Sequence, residues 1–196
     1  MQMNSSMNMM NNSVLETDLA LLRRNAESIM RAIPAGTKLL PVLKCDAYGL
    51  GAAEIARVLE PLEAVVGFAV AHMSEGLALR NAGITKDILV MSSALPWQLS
   101  AAVDADLTLT CGRAGFASEL QAAAEATGKP AAIHIKIDTG LHRIGFAPEE
   151  LGGKFIYLPD LPDFLSYIKN STYFITDSFH GTAHFAIVST SLYLIH

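Results

Sequence analysis

Short unbroken apolar runs alternate along this chain with apolar stripes at helical spacing, from about residue 14 to residue 138. Unbroken runs suit strands covered on both faces, and stripes at i, i+3 and i+4 suit the helices that cover them. Leu15, Leu19, Leu22, Ala26, Ile29 and Met30 predict a leading helix, opened by a capping box of Ser13 and Glu16 and closed before Pro34. Residues 38–43 then read as a first strand, 52–59 as a helix stopped by Pro61, 65–71 as a second strand and 74–81 as a helix closed by Gly83. Residues 87–91 form a third strand, 96–103 a helix with proline at its start, 107–110 a fourth strand, 113–126 a helix ending at Gly128, and 131–137 a fifth strand. Pro41 removes a ladder donor from the first strand, but its apolar neighbours carry the assignment. Five βα-type strands in succession predict an α/β fold, a partial (β/α)8 barrel of the TIM type.

After Gly152-Gly153 aromatic and β-branched residues replace the alanine-rich helices. That shift predicts three parts: a disordered N-terminus over 1–13, the partial barrel over 14–152, and a distinct tail over 153–196. The tail reads as a strand (154–158), a helix (161–170), a strand (173–176) and, after the turn 177–182, a final apolar helix or strand, a short Rossmann-like β-α-β-α unit. With 196 residues, 51% of them hydrophobic, the chain can bury a sizeable core. A complete barrel typically takes about 250 residues, so the chain is short for its apparent fold. A net charge of −5 and no Lys/Arg cluster exclude a basic field for nucleic acid or anionic lipid.

No run approaches the roughly 20 apolar residues of a spanning helix, and 1–13 has neither the basic nor the apolar region of a secretory signal. The two cysteines, Cys45 and Cys111, have no metal-ligand spacing and make no disulfide framework. A reducing cytoplasm is the expected compartment, with Cys45 expected as a small buried thiol. The six histidines form no HxxxH or triad-like arrangement, and no metal site is read.

Candidate chemistry gathers at the end of the first strand, in Val42-Leu43-Lys44-Cys45-Asp46-Ala47-Tyr48-Gly49-Leu50-Gly51. The C-terminal strand ends of such a barrel carry the active site. A partly desolvated amine there can attack an aldehyde, while a tyrosine hydroxyl and glycine-freed backbone amides can hold a phosphate. Taken alone, the string also fits a solvated lysine beside a tight turn. A second string, His134-Ile135-Lys136-Ile137-Asp138-Thr139-Gly140-Leu141-His142-Arg143-Ile144-Gly145-Phe146, closes the fifth strand. In this order and at this separation, the two resemble the pyridoxal-phosphate lysine motif and the fifth-strand motif of alanine racemases. Phe68-Ala69-Val70-Ala71 with Glu75, and Ile88-Leu89-Val90, add weaker similarity, and the whole runs from about Leu15 to Gly152. It covers the N-terminal part of that family.

The resemblance implies pyridoxal phosphate as cofactor, attached covalently to Lys44, which after displacement by the substrate amine would act as the base on one face of the substrate Cα. It implies that Tyr48 donates to the cofactor phosphate and that Arg143 contacts the pyridine nitrogen. An arginine there does not release its proton, so the ring would be a weak electron sink, which suits racemisation over transamination. Lys136 occupies the family's carbamylated position; Lys136 with Asp138 also fits an ordinary strand-end ion-pair cluster. The family is homodimeric, and its opposite-face base is a tyrosine of a C-terminal domain. Tyr157, Tyr167, Tyr173 and Tyr193 lack that tyrosine's flanking sequence.

A third string, Thr176-Asp177-Ser178-Phe179-His180-Gly181-Thr182, resembles the C-terminal domain of polysaccharide pyruvyl transferases. It implies an anion site of Ser178, His180 and Thr182 at a helix N-terminus, with a vestigial His180 as the alternative. The leading expectation is a pyridoxal-phosphate-dependent racemase of alanine, with serine the nearest alternative, present as an N-terminal fragment or chimera of little activity. The others are an inactive chimera or pseudo-enzyme, a pyridoxal-phosphate homeostasis-type barrel protein, and a pyruvyl-transferase-related fragment. The Lys136…Arg143 spacing favours the racemase over the homeostasis protein. The expected partner is a small amino acid, with no nucleic acid and no membrane.

Overall fold

The computed structural model describes residues 14–34, 37–138, 141–147, 150, 175–176 and 193–194. Four strands lie parallel in chain order: β1 (Gly67–Val70), β2 (Asp87–Val90), β3 (Thr108–Cys111) and β4 (Ala132–Ile135). Helices α1 (Leu19–Ala32), α3 (Ala52–Leu59), α4 (Met73–Asn81), α5 (Leu99–Asp104) and α6 (Phe116–Thr127) precede or connect them. Sequential parallel strands with helical crossovers make a partial TIM-type barrel, as the alternating pattern predicts.

In β1, β2 and β3 the unbroken apolar runs are buried on both faces, Asp87 excepted, whereas β4 is exposed at all four positions. Phe68 and Val70 pair with Ile88 and Val90, and Val90 with Leu109, in a row that belongs to the main core with Leu79, Leu99, Val103, Phe116 and Leu120. Ala69, Leu89 and Thr108 fill the opposite face and are also buried. Thr110 is buried without penalty because its hydroxyl donates to the Val90 carbonyl at 2.8 Å. A core side chain the size of Phe68 contributes about 1.5–3 kcal/mol by leaving water.

The first strand is corrected. Residues 38–43 run beside β1, but only Leu39↔Val65 and Val42↔Ala69 pair, and the register slips by one residue between them. Leu39 both donates to Ala64 and accepts from Val66, while Pro41 accepts from Ala69 and has no N–H to return. The missing donor faces β1 and breaks the ladder there. The leading helix is corrected at its start: Asp18, not Ser13, caps it, its carboxylate accepting from the Leu21 amide at 2.8 Å. The helix expected over 96–103 divides into a 3-10 turn, Pro96–Gln98, and α5. Residues 1–13 and almost all of the tail lie outside the described residues; Ile175–Thr176 and Tyr193–Leu194 pair in parallel.

The N-terminal ends of the strands are tied by side chains. Arg80 donates to the carbonyls of Ala105 (2.9 Å), Ile84 (2.8 Å), Lys86 (2.7 Å) and Asp106 (2.8 Å), in the segments that lead into β2 and β3. Glu60 Oε1 accepts from the amides of Thr85 (2.7 Å) and Lys86 (2.9 Å), and the Lys86 ammonium donates to Leu62 and Val65 ahead of β1. Although burial opposes its charge, these donors hold the Glu60 carboxyl below its ordinary range.

Candidate active site

Lys44 leaves residues 38–43 at their C-terminal end and enters a six-residue helical turn, α2 (Lys44–Gly49). The turn is left-handed: Cys45, Asp46, Ala47 and Tyr48 have φ of 54°, 53°, 52° and 58°. Four consecutive residues with a Cβ in that region cost about 1–2 kcal/mol each, so surrounding bonds must hold them. Glu75 does so from α4: one oxygen accepts from the Cys45 amide at 2.6 Å, the other from the amides of Ala71 (2.8 Å) and His72 (2.9 Å). Asp46 closes the other side, its carboxylate accepting from the Ala52 amide at 2.8 Å and so capping α3 where Gly51 has no side chain to do it. Ala47 takes the buried position of the turn. Cys45 is exposed, which corrects the buried thiol expected there: its amide, not its side chain, is turned inward to Glu75.

The turn brings the first two candidate residues together. The Lys44 ammonium nitrogen stands 5.8 Å from the centroid of the Tyr48 ring, over its face. Tyr48 is 65% exposed, and its hydroxyl makes no hydrogen bond among the described residues.

Lys136 follows β4, and its amide extends the ladder by donating to Cys111 at 2.8 Å. Its side chain is buried, on the face shared by His134 and Thr110. The chain then doubles back. Phe146 donates to the Lys136 carbonyl and accepts from Asp138, both at 2.9 Å, and Ile137 bridges Phe146. Gly145, at φ +126°, permits the fold-back, since a Cβ there would stand 2.8 Å from the Asp138 nitrogen. Asp138 accepts from the His142 amide at 3.0 Å, with the imidazole 3.5 Å away. Arg143 lies exposed on this loop and makes no side-chain hydrogen bond or ion pair among the described residues. Thr139, Gly140, Ser178, His180 and Thr182 lie outside the described residues. Crowding pushes the His134 imidazole below its ordinary range, partly offset by Asp87.

Because every strand runs the same way, Lys44, Tyr48, Lys136 and Arg143 all lie at the C-terminal end of the sheet. They form two pairs on its outer members: Lys44 and Tyr48 beside β1, Lys136 and Arg143 after β4. Beyond the ends of β1 and β2 an open cavity of about 320 Å³ is lined by polar His72, Ser74, Ser92, Ser93 and Gln98 among apolar neighbours, and none of the four candidate residues lines it. Sequence reasoning missed this cavity, although Ser92-Ser93 directly after an apolar strand was a signal for it. It also missed the function of Glu75, which was noted only as a similarity. No cluster among the described residues could hold a metal ion, and no described helix is long and apolar enough to cross a membrane. The arrangement offers an amine for an aldehyde and, beside it, a phenol for an anion.

Comparison with known proteins bears on this site. Residues 17–180 match the family described as alanine racemase, N-terminal domain. The alanine racemase of Geobacter sulfurreducens is 39% identical over 149 residues, 76% of this chain and 39% of its own length. That of Lactobacillus gasseri is 33% identical over 183 residues, 91% of this chain and 44% of its own length. Among solved structures, the alanine racemase of Clostridium difficile 630 in complex with cycloserine superposes with a TM-score of 0.63 at 37% identity, covering 66% of this chain and 35% of that one. The chain spans about two fifths of the length of these curated relatives. The family match also runs past residue 153, to residue 180.

Proposed function

Since the chain belongs to the alanine racemase N-terminal domain family, we propose that it takes part in pyridoxal-phosphate-dependent racemisation of an amino acid, alanine first, with serine the nearest alternative. The observation that carries this reading is the Lys44 amine held 5.8 Å from the Tyr48 ring at a C-terminal strand end. An aldehyde and a phosphate on one small molecule suit an amine and a phenol so placed. When bound, pyridoxal phosphate supplies the electron sink that makes an amino acid's Cα proton removable.

In this reading Lys44 Nζ would hold the cofactor at its aldehyde and would take or return the proton on one face of the substrate Cα. The Tyr48 hydroxyl donates to a phosphate oxygen. Arg143, exposed and unpaired among the described residues, would offer an N–H that does not release its proton to the pyridine nitrogen, and Lys136, the position carbamylated in the family, would orient it. A second copy of the chain is the proposed protein partner and the cytoplasm the proposed compartment. In the tail, Ser178, His180 and Thr182 remain a proposed anion site.

The test is to incubate the chain with pyridoxal phosphate, reduce with borohydride and map the labelled peptide. The label is expected on Lys44 and is expected to vanish in Lys44→Ala. Labelling spread over several lysines, unchanged by that substitution, refutes the reading.

A further inference from the structure

We infer that Glu75 is a positioning residue for Lys44: from α4 its carboxylate clamps the left-handed turn that begins directly after the lysine, and so fixes the direction in which the amine leaves the sheet. This rests on the functional reading above and deepens it.

The geometry is specific. Three backbone amides converge on one carboxylate, with Cys45 alone on Oε1 at 2.6 Å and Ala71 and His72 sharing Oε2 at 2.8 and 2.9 Å. The two on Oε2 belong to the β1–α4 loop and would be satisfied by any good helix cap. The bond to Cys45 crosses 30 residues of sequence and takes no part in capping α4. It anchors the first left-handed residue after Lys44, in a conformation the backbone would otherwise leave. Both oxygens are needed as acceptors, so a glutamine can satisfy only one side. Its amide would keep the two-donor side and present its NH2 to the Cys45 N–H, a donor facing a donor. An aspartate is one methylene shorter: from the same helical position it can still cap α4 but does not reach Cys45.

Glu60 provides an internal control at the far end of the sheet: a single oxygen, Oε1, accepts from the Thr85 and Lys86 amides ahead of β2, so Glu60→Gln removes a carboxylate charge without touching the Lys44 turn. A change at Lys44 in Glu75→Gln that is absent in Glu60→Gln is therefore local to the turn and is no general effect of losing a carboxylate charge.

The experiment uses the full chain with Glu75→Gln, Glu75→Asp and Glu60→Gln. Hydrogen exchange of the Cys45 amide is measured without cofactor, and borohydride-trapped pyridoxal phosphate is mapped by lysine. The buried Cys111 thiol reports whether each variant stays folded, and whichever Glu75 variant keeps it shielded is the one read. The expected result is a loss of about tenfold or more in Cys45 amide protection, from removing a charged acceptor, and a fall in the Lys44 share of the label toward that of the other lysines. Glu60→Gln is expected to change neither. Wild-type protection and Lys44 selectivity in a folded Glu75 variant overturn the proposal, as does an equal loss in Glu60→Gln. If the wild-type chain itself is not labelled on Lys44, the functional reading fails, and the cofactor-free exchange arm still decides whether Glu75 holds the turn.

Discussion

Replacing Cys45 with glycine should stabilise the protein, against the usual cost of glycine in a helical segment. Cys45 sits at φ 54°, ψ 45° with its side chain exposed, and its amide bond to Glu75 survives the substitution. Removing the Cβ relieves about 1–2 kcal/mol of left-handed strain, and the added freedom of glycine in the unfolded chain takes back about 0.5–1 kcal/mol. The net is a gain of about 0.5–1 kcal/mol. Ala78, exposed on the right-handed helix α4, is the matched comparison: Ala78→Gly should cost about 1 kcal/mol. Urea denaturation under reducing conditions measures both, read as opposite shifts of midpoint at unchanged slope. Cys45→Ala, which keeps the Cβ, should stay within about 0.5 kcal/mol of wild type and separates loss of the thiol from loss of strain. A loss in Cys45→Gly as large as in Ala78→Gly would refute the left-handed turn and the strain argument with it.

Gly145→Ala should cost about 2 kcal/mol or more and loosen the loop that carries Arg143, because its Cβ would stand 2.8 Å from the Asp138 nitrogen at a φ of +126°; thermal denaturation and exchange of the loop amides check it. Arg80→Lys should destabilise by about 2–3 kcal/mol while leaving Lys44 labelling intact, since one ammonium cannot serve four carbonyls spread over two segments. Stability should also fall on acidification, in two steps. His134 has a lowered pKa in the fold, so below its ordinary 6.5 the unfolded chain binds the proton more readily and stability drops toward the folded pKa. Glu60 is lowered too, so its contribution, present above 4.5, disappears as pH falls through its folded pKa. Denaturation midpoints across pH, with Glu60→Gln abolishing the lower step, decide this.

The sequence showed most of the strands because β1 to β3 are parallel and buried on both sides: Ile88-Leu89-Val90 has one environment throughout, so no phase had to be guessed. It failed at residues 38–43, where apolar neighbours outvoted the lost donor of Pro41 although that donor faces β1. The lysine and tyrosine were legible as a pair because they lie four residues apart, a spacing that meets on one side of a helical turn of either hand. The hand was not legible. Gly49 and Gly51 enter left-handed conformations freely, but Cys45, Asp46, Ala47 and Tyr48 carry no local reason to do so, and the bond that holds them comes from Glu75 in another element. Asp46 reads as a simple turn residue until α3 is seen to lack any other cap.

The two ends of the sheet are joined by different means, and this governs how the protein can change. Ahead of the strands, Arg80, Glu60 and Lys86 make side-chain bonds that hold three strands in step. Beyond the strands, the Lys44 turn depends on Glu75 and Asp46, and the Arg143 loop on a single glycine fold-back. No bond of the first set shares a residue with the second. Substitutions among the loops that would meet a substrate can therefore accumulate without moving the strands out of register. On the proposed function, selection for a different amino acid would act on one end of this sheet, while the other preserves the frame on which any such variant must fold.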